Sequence, residues 1–131
     1  MAEHPNADFI RRGFDSFNAA DVEGLSAILD ENMVQHMAGG NAVFSGDHQG
    51  RDNVLAMYGR IGEVSGGTFQ AVPEAIWAND DRAVVTYRAK AERDGRTLDM
   101  LNAIVFEIRD GKITEITDIP ADVAEQDSFW S

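Results

Sequence analysis

Two Asp-Gly pairs, Asp94-Gly95 and Asp110-Gly111, sit between runs rich in Val, Ile, Thr, Phe and Tyr, and no other feature narrows the fold as much. Asp followed by Gly tolerates the positive φ angles of a tight hairpin, so each pair folds the chain back on itself. With Asn79-Asp80-Asp81 as a third turn, residues 68–78, 82–93, 96–108 and 112–119 are predicted to form four successive antiparallel strands.

The chain ahead of them reads as helical. Phe9, Ile10, Phe14 and Phe17 recur at helical spacing with Arg11, Arg12 and Asp15 on the other side, which predicts an amphipathic helix from 5 to about 19. Asp21 is a natural N-cap for a second helix carrying Val22, Leu25, Ile28 and Leu29 and ending near Asn32. A strand over 33–38 leads into a Gly-rich loop from Gly39 to Gly50. Asp52 then caps a third helix with Val54, Leu55, Tyr58 and Ile61 on one stripe, which Gly66-Gly67 ends. The order α-α-β-α-β-β-β-β predicts an α+β fold, with three N-terminal helices on one face of a curved sheet. At 131 residues the chain suits one domain, 1–131, with a tail over 120–131 whose Phe129-Trp130 is expected to dock on the body.

Composition excludes several classes. A net charge of −12, with no basic cluster beyond Arg11-Arg12, argues against a nucleic-acid partner, because that affinity rests on Lys and Arg neutralising phosphates. Apolar runs are only a few residues long, so no membrane partner is expected. There is no cysteine, hence no thiolate nucleophile and no Cys-type zinc site. His4, His36 and His48 are not at metal-ligand spacing, and Gly39-Gly40 lacks the Lys-Ser/Thr ending of a phosphate loop, so neither metal nor cofactor is expected. The N-terminal Met1-Ala-Glu-His-Pro-Asn carries no basic patch followed by an apolar core, which makes the cytoplasm the expected location.

The candidate site comes from polar residues in apolar company. A buried amide or carboxylate costs a few kcal/mol unless it is hydrogen-bonded. Asn102 shares its strand parity with Leu98, Met100, Ile104 and Phe106 and should point inward, either as a core amide or as a pocket group. Asp118 requires a register argument. A plain two-residue turn at Asp110-Gly111 pairs 102 with 119 and sends Asn102 and Asp118 to opposite faces. A three-residue loop with a bulge at Gly111 pairs 102 with 118. Ile113 and Ile116 lie on opposite parities, so the pattern asks for such a shift, placing Ile116 and Asp118 inward. Beside apolar walls, Asp118 should titrate above the usual value near 4. His36 shares its strand face with Val34 and suits proton transfer near neutral pH, whereas Met33 and Met37 make the other parity apolar as well.

Four stretches carry a family resemblance: Phe17-Asn-Ala-Ala-Asp21-Val-Glu-Gly-Leu25, Asp30-Glu-Asn-Met-Val-Gln-His36, Gly50-Arg51-Asp52, and Asp110-Gly-Lys-Ile-Thr-Glu-Ile-Thr-Asp118. The chain resembles the nuclear transport factor 2-like superfamily, cystatin-like in architecture, and within it the SnoaL-like branch with its polyketide cyclases, ketosteroid isomerases and limonene epoxide hydrolases. The resemblance implies a cone-shaped sheet enclosing a cavity. It matches Asn102 to an oxyanion-binding position, Asp118 to an acid-base aspartate, and His36 to the position of a general base. Two departures stand out. The isomerase tyrosine of the first helix is replaced in the neighbourhood of Gly13 and Phe14, and the strand of the hydrolase Arg-x-Asp pair reads Arg88-Ala89-Lys90.

These residues lead to the expectation of a cofactor-independent lyase, isomerase or cyclase acting on a small apolar carbonyl compound. Asp118 and His36 would share proton transfer, Asn102 would polarise the carbonyl, and Phe14, Tyr58 and Met100 would form walls. The alternative is a non-catalytic domain that binds a small ligand or serves only to dimerise. A homodimer through the outer sheet face is expected, because Ala83, Val85, Tyr87, Ala89, Leu101, Ala103 and Val105 are apolar opposite an equally apolar set of Val84, Leu98, Ile104 and Phe106.

Overall fold

In the computed structural model, which describes residues 3–40 and 42–131, both Asp-Gly pairs form two-residue turns with positive φ at both positions: 51° and 76° at Asp94-Gly95, 52° and 75° at Asp110-Gly111. The elements run α1 (Pro5–Asn18), α2 (Val22–Ile28), β1 (Leu29–Met37), β2 (Gly46–Gln49), α3 (Arg51–Val64), β3 (Gln70–Ala78), β4 (Arg82–Arg93), β5 (Arg96–Arg109), β6 (Lys112–Ile119) and α4 (Val123–Trp130). The six strands form one mixed sheet in the order β2-β1-β6-β5-β4-β3, in which β1 and β6 are parallel and every other pair is antiparallel.

The helix starts follow local chemistry. Pro5 opens α1, and the His4 side chain accepts from the Asn6 amide as its cap. Asp21 caps α2 through Gly24 N at 3.0 Å. The second helix is shorter than predicted, because Leu29 leaves it to pair with Ile113 of β6. At α3 the cap is Gly50, with φ 91°, in place of the predicted Asp52, which lies within the first turn. The Gly39–Gly50 stretch contains the short edge strand β2, and the tail folds into α4 under an Asp122 cap.

Three irregularities bend the sheet, in β1 between Leu29 and Val34, in β3 between Pro73 and Ala75, and between Glu107 and Ile108 where β5 meets β6. An extra residue in one strand increases local twist and curvature, so the sheet curls around a concave face that α1, α2 and α3 cover. The buried core fills that concavity. Ile10 and Phe14 come from α1, Val54, Met57 and Ile61 from α3, and Val85, Ile104, Phe106 and Ile116 from the sheet. At the open end, Trp130 of α4 packs edge-on against Phe44 at 5.3 Å between ring centres. Arg93 donates to the carbonyls of Phe129 and Ser131, and Arg96 to that of Ser128, satisfying the orphan acceptors of the helix end.

The sheet's parity differs in part from the sequence reading. Ala83 stands opposite Phe106 and Tyr87 opposite Asn102, so Ala83, Val85, Tyr87 and Ala89 share the concave face with the even positions of β5. The convex face instead carries Val84, Ala103, Val105, Leu101, Trp77 and Ile119, the last two at 60% and 50% exposure. The Phe129-Trp130 tail packs on the concave side and leaves this convex face open.

No described helix is long and apolar enough to cross a membrane.

A cavity closed by two tyrosine pairs

Between the helices and the concave face lies a cavity of about 90 Å³, walled by aromatic and aliphatic side chains that include Phe14, Phe17, Leu25, Ile104 and Ile116. Its polar side chains are Gln35, Tyr58, Tyr87 and Asp118. A second space of about 30 Å³ adjoins it beneath α4, and Tyr87 and Asp118 line both. A pocket this apolar with a few convergent polar groups is the usual form of a small-molecule site.

Asp118 reaches the cavity through a register different from the predicted one. The turn is a two-residue one, with Arg109 opposite Lys112 and Ile108 opposite Ile113. Thr114 is then an extra residue, after which Glu107 pairs with Glu115 and Ile104 with Asp118. The bulge therefore sits in β6 and not at Gly111, because the Asp110-Gly111 turn already has the left-handed geometry a two-residue hairpin needs. Asp118 and Asn102 still share the inner face, each at 4% exposure.

The Tyr87 hydroxyl donates to Asp118 Oδ1 at 2.5 Å. Oδ2 accepts no hydrogen bond from the described residues. Burial among apolar groups raises the Asp118 carboxyl from its ordinary 3.8 to about 6, and the Tyr87 hydrogen bond offsets only part of that effect. Tyr87 titrates well above its ordinary range, chiefly through burial and then through the Asp118 charge, so the phenol stays protonated and donates.

The second pair is Tyr58 and Gln35. The Tyr58 hydroxyl donates to Gln35 Oε1 at 2.5 Å, and burial again raises this phenol's pKa. Gln35 is 3% exposed, and among the described residues its Nε2 finds only the Met37 thioether, at 3.3 Å. Since Gln35 stands opposite Ile116 and Met37 opposite Asp118, the Gln35 and Asp118 Cα atoms are about 8 Å apart across adjacent strands.

The remaining predicted residues are placed as follows. Phe14 and Tyr58 line the main cavity, while Met100 and Asn102 line the smaller one. Asn102 Oδ1 accepts from Ala121 N at 2.9 Å, holding the chain as it leaves β6, and its amide lies across from Tyr87. His36 is a correction. Leu29, Met33 and Gln35 are the buried residues of β1, and the alternation around Met33 and Gln35 puts His36 on the opposite face. There its ring nitrogens bond Asp47 Oδ1 and Glu115 Oε2, both at 2.7 Å, and these carboxylates raise its pKa. It lines neither cavity.

Sequence reasoning did not single out Tyr87 and Gln35 as site residues, although signals for both existed. Thr86, Arg88 and Lys90 mark the even parity of β4 as the wet one, which turns Tyr87 inward. Met33 and Met37 bracket Gln35 in the same way that Met100 and Ile104 bracket Asn102.

A helix-covered, cone-shaped sheet around an apolar cavity defines a nuclear transport factor 2-like fold. The SnoaL-like domain model matches residues 10–116, and the chain belongs to that family. An uncharacterized protein of Mycobacterium tuberculosis is 32% identical over 132 residues, covering 100% of both chains. Bal32a, from a soil-derived mobile gene cassette, superposes with a TM-score of 0.91 at 38% identity over 96% of each chain. TerC, co-crystallized with polyporic acid, shares the fold with a TM-score of 0.83 at 23% identity, over 98% of this chain and 100% of that one.

Proposed function

We propose that the protein binds a small apolar carbonyl compound in the cone cavity and acts on it by cofactor-independent acid-base catalysis, as an isomerase or cyclase. The observation that carries this reading is Asp118: a buried carboxylate with one oxygen held by Tyr87 and the other facing apolar space. A carboxyl that titrates near 6 is mostly ionised at pH 7 and basic enough to take a proton, which matches a general base to its task.

The step is enolisation. Asp118 Oδ2 takes a proton from the carbon next to the carbonyl, the C–H electron pair becomes a C=C bond, and the carbonyl π pair moves onto oxygen. Returning the proton elsewhere gives isomerisation, and attack of the enolate on a second carbonyl gives cyclisation. Tyr87 keeps the carboxylate oriented, and Asn102 braces the end of β6 that carries it. A cavity of about 90 Å³ is of the order of the ~150 Å³ cavities that admit benzene, so a one-ring compound is the fitting size. That TerC was crystallized with polyporic acid supports a ligand-holding role for a cone of this kind.

The walls suit a non-catalytic carrier equally well, and proton exchange separates the two. Acetophenone incubated with the protein in deuterium oxide should exchange its methyl protons faster than in buffer, followed by proton NMR. Asp118→Asn should bind the ketone and lose the exchange. Binding with no exchange above buffer in the unmodified protein would overturn the catalytic reading and leave the carrier.

A further inference from the structure

Gln35 is an amide at 3% exposure whose two ends are treated very differently. Its oxygen accepts the Tyr58 hydroxyl at 2.5 Å, whereas its nitrogen, with two N–H groups to place, meets among the described residues only the Met37 sulfur at 3.3 Å. Thioether sulfur is a weak acceptor, so most of the donor capacity of Nε2 is unspent inside an apolar cavity. Buried donors are ordinarily satisfied, and a donor without a good partner in a cavity wall calls for an acceptor from a ligand.

Tyr58 decides which end of the amide faces the cavity. Burial keeps its phenol protonated, and Phe17 packs edge-on against its ring at 5.0 Å, so the hydroxyl is a fixed donor. An O–H donor selects the amide oxygen and turns the NH₂ away from itself. The opposite orientation would place the oxygen against sulfur, where no donor exists. The geometry between strands completes the arrangement. An amide and a carboxylate about 8 Å apart at Cα on neighbouring strands can flank one carbonyl group, the amide at the oxygen and the carboxylate at the adjacent carbon.

We propose that Gln35 Nε2 is the hydrogen-bond donor to the ligand's carbonyl oxygen, and that Tyr58 is the positioning residue that points it there. The assignment rests on the carbonyl reading above. It moves the carbonyl-binding role to β1 from Asn102, which braces Ala121 N and lines the smaller space, not the main cavity. In the enolisation step the electron pair arriving on oxygen meets the Gln35 N–H. The ligand class narrows accordingly: an apolar ring bearing a carbonyl acceptor that Gln35 Nε2 meets.

The test uses acetophenone labelled with ¹³C at the carbonyl and its isostere α-methylstyrene, which replaces the carbonyl oxygen by a methylene. In the intact protein the infrared carbonyl band of bound acetophenone should lie below its position in hexane. Gln35→Met keeps the side-chain shape. It should bind α-methylstyrene as the unmodified protein does, weaken acetophenone about three- to tenfold, the loss of one neutral hydrogen bond, and return the band toward its hexane position. Tyr58→Phe should split the band in two as the amide samples both orientations, an effect that a merely structural role for Tyr58 would not produce. Asp118→Asn should keep the shifted band while losing proton exchange. An identical band in the unmodified protein and in Gln35→Met would overturn the assignment of Gln35 and leave the cavity reading standing. Failure of the unmodified protein to bind either compound would overturn the cavity reading and the assignment with it.

Discussion

Replacing Asp118 by Asn should make the protein more stable at pH 8 and leave it unchanged at pH 3. Asn keeps the shape and an oxygen for the Tyr87 hydroxyl, and removes only the charge. The carboxyl titrates at about 6 in the folded protein against an ordinary 3.8, so the folded state holds this proton more tightly than the unfolded chain. Below about pH 3 the group is neutral in both states and contributes no penalty. As pH rises through 4 to 6 the unfolded chain ionises first, and the folded state is progressively disfavoured until both are ionised above about pH 7. The gap of about 2 in pKa, at 1.36 kcal/mol for each unit, puts the full penalty at about 3 kcal/mol. For 131 residues that corresponds to a rise in Tm of about 10 °C for the variant at pH 8. Thermal and urea unfolding of both proteins at the two pH values measures the difference, and every other carboxylate cancels between them. A variant no more stable at pH 8, or offset equally at both pH values, would refute the argument that burial strains this carboxylate.

Tyr87→Phe removes the hydroxyl that partly offsets burial, so the Asp118 carboxyl should rise further above 6; carbon-detected NMR titration reads it, and an unchanged or lower value counts against the pairing. His36→Gln should leave acetophenone exchange unaltered, since the ring lines neither cavity. Because Asp47 and Glu115 raise its pKa, the stability His36 contributes is fully present below the unfolded value of 6.5 and fades as pH rises through the folded one; its loss should therefore show in urea unfolding at pH 6 and shrink by pH 9. Light scattering should give twice the single-chain mass of 14.3 kDa through the convex face, and Trp77→Asp with Leu101→Lys should restore the single-chain mass while preserving the fold by circular dichroism. A single-chain mass for the unmodified protein at micromolar concentration would end the dimer argument.

The parts of the fold that the sequence disclosed are those where one local rule acts strongly. The two Asp-Gly turns gave β4, β5 and β6 to within a residue at their ends, because the turn type itself fixes the connection. The parts it concealed depend on distant partners. Strand β2 is a glycine and three polar residues with no alternation to read, and it exists because the β1 backbone from Val34 to Met37 pairs with it. Helix α4 has little apolar asymmetry; Arg93, Arg96 and the seat of Trp130 against Phe44 hold it in place. Leu29 sits at a helical interval from Leu25, yet pairing with Ile113 outweighs that local preference.

The site was half legible for a related reason. Asp118 and Asn102 stand out as polar residues among the apolar inward-facing positions of their strands, whereas Tyr87 and Gln35 are less conspicuous on theirs. There the parity signals are a few flanking residues, Thr86, Arg88 and Lys90 for Tyr87 and Met33 and Met37 for Gln35, and register with the neighbouring strand makes them decisive. Thr114 shows how much depends on that register. Without this one extra residue, β6 would continue the pairing of Ile108 with Ile113, and Asn102 would stand opposite Ile119 with Asp118 turned to the convex side. Ile116, now 2% exposed, would leave the core with it. The bulge therefore places the Asp118 carboxylate and a core isoleucine together, so the burial of Ile116 helps hold the register that also forces a charged group out of water. The fold can sustain Asp118 in that position because the same strand shift that strains it fills the core beside it.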